Sequence, residues 1–315
     1  MRIDRVRTVS LNVPLVSPLR TSDGVHESRR VVLVELTDAD GTVGWGENVA
    51  PGGVVYVGES PAESLRTMRD VLVPHLVSQD VNVHEMNPET WWGIDGVPYA
   101  KHALESAVWD VLARRLNMSF AETIGAGSEP IEVGVVVGIQ NSVDIVLAEV
   151  EARMTEGYRR IKLKIAPGKD SEVIREVRAL VGDDYALQVD ANGAYGYNDI
   201  EHLCSFDVFG LELIEQPFAA DAFEAHAELA RRSSTSVCLD ESIMNMNDLQ
   251  RALRVGACDV VNIKPSRVGG VGVALDMHDL LLSEGIDAWV GGMLESGVGR
   301  ASCLALAAMP GFTLT

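Results

Sequence analysis

Five short runs decide the fold: Ile161-Lys-Leu-Lys-Ile165, Leu187-Gln-Val-Asp-Ala-Asn192, Leu211-Glu-Leu-Ile-Glu-Gln-Pro217, Val237-Cys-Leu-Asp-Glu-Ser242 and Val260-Val-Asn-Ile-Lys-Pro-Ser266. Each is an apolar stretch with a charged residue at its end. Lys164, Asp190, Glu215, Asp240 and Lys264 recur at intervals of 26, 25, 25 and 24 residues. The segments around them, such as 171–182 and 274–285, carry helical patterning. One strand, one loop and one helix per period read as repeated βαβ units on a parallel sheet. Many such units in a row favour a closed barrel, whose active-site residues sit where strands end and loops begin. All five charges occupy such ends.

Working outward, the same pattern predicts strands over 131–138, 160–165, 186–190, 211–215, 236–240, 259–264 and 287–292, with a short eighth at 312–315. The intervening helices are expected at 142–156, 171–182, 198–205, 222–232, 246–255, 270–284 and 297–308. Upstream, residues 2–13 and 29–48 read as three strands, two of them joined through Asp40-Gly41, a dipeptide that favours a hairpin turn. The turn-rich stretch 17–24 reads as a surface loop able to act as a lid. Helices follow at 61–77, with Ser60 as N-cap and Pro61 at the first position, and at 98–116. In the second, Ala103, Leu104, Ala107, Val108 and Leu112 share one face, a packing stripe without chemistry. A shift in composition at Gly125-Ala-Gly-Ser-Glu-Pro130 suits a boundary. The expected organisation is an α+β domain over 1–127 and a barrel domain over 128–315.

The chain of 315 residues is 47% apolar and 23% charged, an ordinary globular composition. A net charge of −20 opposes a phosphate backbone and an anionic membrane surface, so no nucleic-acid or membrane partner is expected. The N-terminus alternates polar and apolar residues instead of presenting a secretory apolar block, and a cytoplasmic location follows as the default. Cys204, Cys238, Cys258 and Cys303 show no CxxC spacing and read as buried thiols. The seven His are scattered. Any metal here must be held by oxygen.

Asp190, Glu215 and Asp240 end three successive predicted strands. Three carboxylates brought together repel unless a cation sits among them. A donor set of oxygen alone points to a hard ion, Mg²⁺ first and Mn²⁺ second. Lys162 and Lys164 alternate with apolar residues and so share one face of their strand, the inner one if helices cover the outside. Lys264, four strands on, would lie across the barrel. Two lysines about a metal site leave a gap in which a substrate carbon is reached from both faces. A proton α to a carboxylate is too weakly acidic for lysine alone, and a divalent ion on the carboxylate oxygens stabilises the charge that forms.

The run from KLK through DANGAY, EQP, LDES and NIKPSRVGG to GGMLESGVGRA resembles the muconate-lactonizing branch of the enolase superfamily, in which a Lys or His base works with Mg²⁺. The likeness is greatest to o-succinylbenzoate synthases and N-succinylamino acid (N-acylamino acid) racemases. It also takes in TSDG, GWGE and the ALESAVWD helix. It implies a modified (β/α)7β barrel, α/β in class, with an N-terminal α+β capping domain. By resemblance Asp190, Glu215 and Asp240 would bind Mg²⁺, and Lys164 and Lys264 would be the acid–base residues. Lys162 would help hold the substrate carboxylate and, as a neighbouring cation, favour the neutral amine of Lys164. Asn192 would support the metal site, and Arg267 matches a position of the racemase-containing subgroup. Glu295, Ser296 and Gly297 would line the pocket, as would Arg20 and Ser22 from the lid, Arg20 pairing with a distal substrate carboxylate. The implied partner is a small carboxylate substrate, and a homo-oligomer is compatible with the sequence. Family members continue beyond the position of Thr315, so this chain is expected to end short of their full length. The implied activity is dehydration to o-succinylbenzoate, a step of menaquinone synthesis, or racemisation of N-acylamino acids. Further alternatives are a muconate cycloisomerase, a dipeptide epimerase and a non-catalytic homologue that binds a small acid.

Overall fold

A computed structural model describes residues 1–21, 24–51, 59–83 and 91–312. The elements run β1 (Ile3–Thr21), β2 (Gly24–Asp38), β3 (Val43–Asn48), α1 (Pro61–Thr67), α2 (Val73–Ser78), α3 (Pro98–Leu116), α4 (Phe120–Thr123), β4 (Val135–Val137), α5 (Val143–Thr155) and β5 (Arg160–Lys164). They continue α6 (Ser171–Val181), β6 (Ala186–Asp190), α7 (Ile200–Cys204), β7 (Leu213–Glu215), α8 (Phe223–Arg232), β8 (Ser236–Leu239), α9 (Met246–Val255) and β9 (Val260–Ile263). The last are α10 (Pro265–Val268), α11 (Val271–Glu284), β10 (Asp287–Val290) and α12 (Gly297–Ala307).

Contacts divide the chain into two compact units. Among the described residues, one contains Met1–Leu15, Ser28–Ile131 and the chain from Ile263 to Phe312; the other contains Val16–Glu27 and Glu132–Asn262. In this grouping the turn after β9 and the described chain beyond it go with the N-terminal elements.

In the first unit β1, β2 and β3 form a sheet in that order, and β2 and β3 pair antiparallel. Helix α3 lies on β3 at a distance only glycine permits. A Cβ at Gly44 would lie 2.5 Å from the Ala107 carbonyl oxygen, and one at Gly46 would lie 2.0 Å from that of Ala103. The packing stripe read from the sequence is therefore real, with Ala103, Leu104, Ala107 and Val108 fully buried among Val34, Leu36, Leu72 and Leu76. Ser60 caps α1 as expected, its Oγ accepting from the Glu63 N–H at 3.2 Å. The helix then widens into a π-turn over Met68–Leu72 before α2. Pro74 explains this: its ring cannot continue the α ladder, so the chain opens by one residue ahead of it.

The stretch 17–24 departs from expectation. Its described part is not a loop, since β1 extends to Thr21 and β2 begins at Gly24. β1 lies at the edge of its sheet, a place where Pro14 and Pro18 are tolerated.

Seven strands form the second sheet in the order β10-β9-β8-β7-β6-β5-β4. The neighbouring pairs from β4 to β9 are all parallel. Sequential order, with helix between successive strands, is the (β/α) arrangement the 25-residue period predicts. The eighth predicted strand, at 312–315, lies almost wholly outside the described residues. In the second unit the outward residues Ile161, Leu163, Leu187, Val189 and Ile214 form one core with Val150, Ile174, Val177 and Leu229 of the helices. Among the described residues no helix is long and apolar enough to cross a membrane.

Candidate active site

Strand register sets the site in the second unit. Lys164 is the Cα partner of Asp190, and Asp190 is the partner of Glu215, so the three lie abreast on one face of the sheet. Glu215 is the partner of Cys238, and Leu239 of Val261, which puts Asp240 and Asn262 one same-face step further toward the strands' carboxyl ends. Asp190 is 1% exposed, and Glu215 and Asp240 are 0% exposed.

Buried carboxylates need counter-charge or donors. Here the ammonium of Lys162 lies 2.6 Å from Glu215 Oε2 and 3.1 Å from Asp190 Oδ2. That of Lys164 lies 2.6 Å from the same Asp190 oxygen and donates to Asn192 Oδ1 at 2.7 Å. The structure therefore brings Lys162, Lys164, Asp190, Asn192 and Glu215 together.

Three residues inside the same runs were missed. Asn262 donates through Nδ2 to Glu215 Oε1 at 2.9 Å, and its place two residues before Lys264 on one strand was the available signal. Glu241 Oε1 accepts from Asn192 Nδ2 at 2.9 Å. Gln216 Oε1 accepts from the N–H groups of Asp240 (2.9 Å) and Ser242 (3.1 Å), tying the ends of β7 and β8. His226 supports that tie. Its Nδ1 lies 2.9 Å from the Ala222 carbonyl, and its Nε2 accepts from the Phe218 N–H at 3.3 Å. Burial pushes the His226 imidazole down to about 4, which keeps it neutral and able to accept. Asn192 and Gln216 have positive φ, 44° and 38°, sparsely populated backbone held by these bonds.

Among the described residues no group of three or more His, Cys, Asp or Glu side chains is gathered closely enough, as placed, to hold a metal ion. Lys162 instead stands between two of the three strand-end acids. The donor chemistry still fits a hard divalent ion: three buried carboxylates, all oxygen, with a cation already drawn between two of them. The four thiols are unbridged, and three of them are buried.

The first unit holds Lys264, Arg267, Glu295, Ser296 and Gly297. Lys264 is the N-cap of α10, and Arg267 on that helix is fully buried. Glu295 accepts from the Met293 N–H at 2.7 Å and pairs with Arg300 at 2.9 Å. Ser296 is engaged by Glu47, which accepts from the Ser296 N–H (2.8 Å), the Ser296 hydroxyl (2.5 Å) and the Gly299 N–H (2.8 Å). Glu295 and Ser296 thus brace the start of α12, and Gly297 is that helix's first residue. The two parts of the quoted sequence GWGE and ESGVGRA meet in this cap.

Two more buried acids act alike. Glu59 accepts from the N–H groups of Tyr99 (2.9 Å) and Ala100 (3.2 Å) at the start of α3, and burial raises its pKa. Glu105 accepts from the Gly272 N–H at the start of α11, and burial pushes its carboxyl up to about 7. Glu105 lies on the helix read as packing alone. Back in the second unit, Arg20 is exposed and donates to Asn141 Oδ1 at 2.7 Å. Ser22 lies outside the described residues.

Comparison with known proteins gives these features a family. Residues 146–315 match the enolase C-terminal domain-like model, and residues 3–125 match the mandelate racemase / muconate lactonizing enzyme N-terminal domain. The chain is 42% identical over 314 residues to an o-succinylbenzoate synthase of Geobacillus stearothermophilus, covering 100% of this chain and 84% of that one. It is equally 42% identical over 315 residues to an N-succinylamino acid racemase of Amycolatopsis sp, covering 100% and 85%. A solved enolase superfamily member from Listeria innocua Clip11262 superposes with a TM-score of 0.94 at 37% identity, covering 99% of this chain and 84% of that one.

Proposed function

This chain belongs to the enolase superfamily, and from that premise we propose that it removes a proton α to a carboxylate, with Lys164 and Lys264 as the acid–base pair. The main activity in this reading is syn-dehydration of a cyclohexadiene carboxylate to o-succinylbenzoate, the final product of the named synthases. The observation that carries it is the row of Lys164, Asp190 and Glu215 in register at strand ends, with Asp190 and Glu215 buried beside Lys162 and Lys164 half-buried. Asp190, Glu215 and Asp240 would hold Mg²⁺, or Mn²⁺ in its place. When bound, the ion supplies positive charge for the substrate carboxylate as electron density moves onto it.

Lys164, as the neutral amine, takes the α-proton, and the C–H electron pair moves toward the carboxylate. Lys264, as ammonium, stabilises that negative charge. The electron pair then returns to form the ring double bond while the C–O bond breaks. The hydroxyl leaves as water, carrying the proton back from Lys164. Lys162 and Asn192 orient the substrate carboxylate and Lys164. Arg267, Glu295, Ser296, Gly297, Arg20 and Ser22 belong to the substrate side of this reading, Glu295 and Ser296 through the loop they brace. A cytoplasmic, menaquinone-forming context goes with the synthase activity.

Racemisation of N-succinylamino acids is the second activity, favoured by the equal identity to relatives named for each reaction. There Lys164 and Lys264 would serve opposite faces of the same carbon. The test is α-hydrogen exchange of each N-succinylamino acid enantiomer in deuterated water with Mg²⁺, beside a dehydration assay. Lys164→Ala and Lys264→Ala should each abolish dehydration, and each should abolish exchange of a different enantiomer. Equal exchange of both enantiomers in either variant would refute the two-sided arrangement.

A further inference from the structure

Helix α3 runs against the turn that begins at Lys264, and Glu105 is where the two are tied. Its side chain is buried, the residue being 6% exposed. Oε1 accepts from the Gly272 N–H at 2.8 Å and from Trp109 Nε1–H at 3.2 Å, and the Val271 N–H also donates to the carboxylate. On the other oxygen Gly270 packs so closely that a Cβ there would lie 1.6 Å from Oε2. Gly270 is the N-cap of α11 and has no side chain to cap it. Glu105 supplies that cap from a different helix.

Gly270 also closes the turn before it. Its N–H and that of Gly269 donate to the Pro265 carbonyl at 2.9 and 3.2 Å. The N–H groups of Arg267 and Val268 donate to the Lys264 carbonyl at 2.9 and 3.1 Å. Pro98, at the start of α3, touches Gly269, a Cβ there meeting it at 3.7 Å. From Lys264 to Gly272 the backbone is therefore one hydrogen-bonded relay, fixed at its far end by Glu105. Burying an ionisable group is an expensive way to cap a helix, and an apolar residue would pack this helix face at lower cost.

We propose that Glu105 is a positioning residue for Lys264: by holding the start of α11 it fixes the 264–272 turn and so sets where the Lys264 side chain begins. This rests on the reading of Lys264 as an acid–base residue. Glu105→Gln keeps the shape but replaces one of the two acceptor oxygens with an NH₂ donor, so the N–H groups of Trp109, Val271 and Gly272 compete for a single acceptor.

Two measurements test it on the full chain with Mg²⁺. The first is amide hydrogen exchange, in which Glu105→Gln should lose protection over 264–275 and keep it in β5–β8. The second is α-hydrogen exchange of both enantiomers of N-succinylalanine. Glu105→Gln should slow the enantiomer that Lys264→Ala abolishes by about 10- to 100-fold relative to the other, the scale of a small misplacement of a reacting group. Trp109→Phe removes a Glu105 partner within α3 and should leave the enantiomer ratio unchanged. Unchanged amide protection, or equal slowing of both enantiomers, overturns the proposal. If Lys264→Ala itself fails to discriminate between enantiomers, the acid–base reading falls, and amide exchange alone decides whether Glu105 fixes the turn. Should Glu105→Gln not fold, Gly270→Ala displaces the same carboxylate from the turn side and is read by the same two measurements.

Discussion

In the second unit the buried acids Asp190 and Glu215 lie against the ammonium groups of Lys162 and Lys164, whereas in the first unit Glu47, Glu59 and Glu105 lie against backbone N–H groups at helix starts. Both arrangements satisfy a carboxylate cut off from water, but they use different charge. A helix start offers fixed partial charge and donors that no ligand can displace, so its acid is part of the scaffold. An ammonium on a strand is mobile and exchangeable. Acids that face it can release it and accept another cation or a substrate. The comparison separates buried charge that holds the fold from buried charge poised for chemistry.

The largest expected effect breaks the comparison at the second unit. Asp190→Asn, Glu215→Gln and Asp240→Asn should each lower kcat/KM by about 10²- to 10³-fold or more, the scale set by losing charge at a reacting centre. Saturating Mg²⁺ should raise the Tm of the parent protein, an effect worth about 3 kcal/mol at a hundredfold excess over Kd, and the same variants should lose that rise. Full turnover in Asp240→Asn after chelation would remove the acids from the metal site.

Next comes pH. The carboxyl of Glu105 is raised to about 7 by burial, partly offset by bonds from Gly272, Trp109 and Val271. A raised acid binds its proton in the folded state where the unfolded chain has lost it, so its contribution to stability falls as pH rises between about 4.5 and 7. The fall is on the order of 3 kcal/mol. His102 and His226 oppose it, because burial lowers both to about 4, and their contribution is lost as pH falls from about 6.5 to 4. Denaturant titrations of Glu105→Gln at pH 5 and pH 8 should show a steeper rise of stability with pH than the parent does. Parallel profiles would place the Glu105 titration outside this window.

A smaller loss is expected at Glu47, which carries three hydrogen bonds at the start of α12. Glu47→Gln should cost about 1–3 kcal/mol, read as a lower Tm, with metal affinity unchanged. Lost Mg²⁺ binding in that variant would erase the distinction between the two kinds of acid.

The smallest effect belongs to Arg20, an exposed side chain bonded to Asn141. Arg20→Ala should change kcat/KM severalfold, about 1 kcal/mol, for substrates with a distal carboxylate and leave those without it unaffected. An equal effect on both would leave Arg20 with its bond to Asn141 alone.

What the sequence by itself determined is the part governed by short-range periodicity. The 24- to 26-residue spacing predicted the strands that became β4 to β10, and the alternation in Ile161-Lys-Leu-Lys-Ile165 put both lysines on one face, where register then set Lys164 beside Asp190 and Glu215. Period two and strand-end position are local properties of a chain, so they can be read locally. Tertiary structure alone decided the rest. Glu105 looks like one polar residue on an apolar helix until Gly270, 165 positions later in the chain, is packed against its carboxylate. Glu47 becomes a cap only when the start of α12 meets β3, and 17–21 becomes strand only as the continuation of β1 in the sheet beside β2. Each depends on a partner distant in sequence, and the identity of that partner is fixed by packing, which no local pattern encodes.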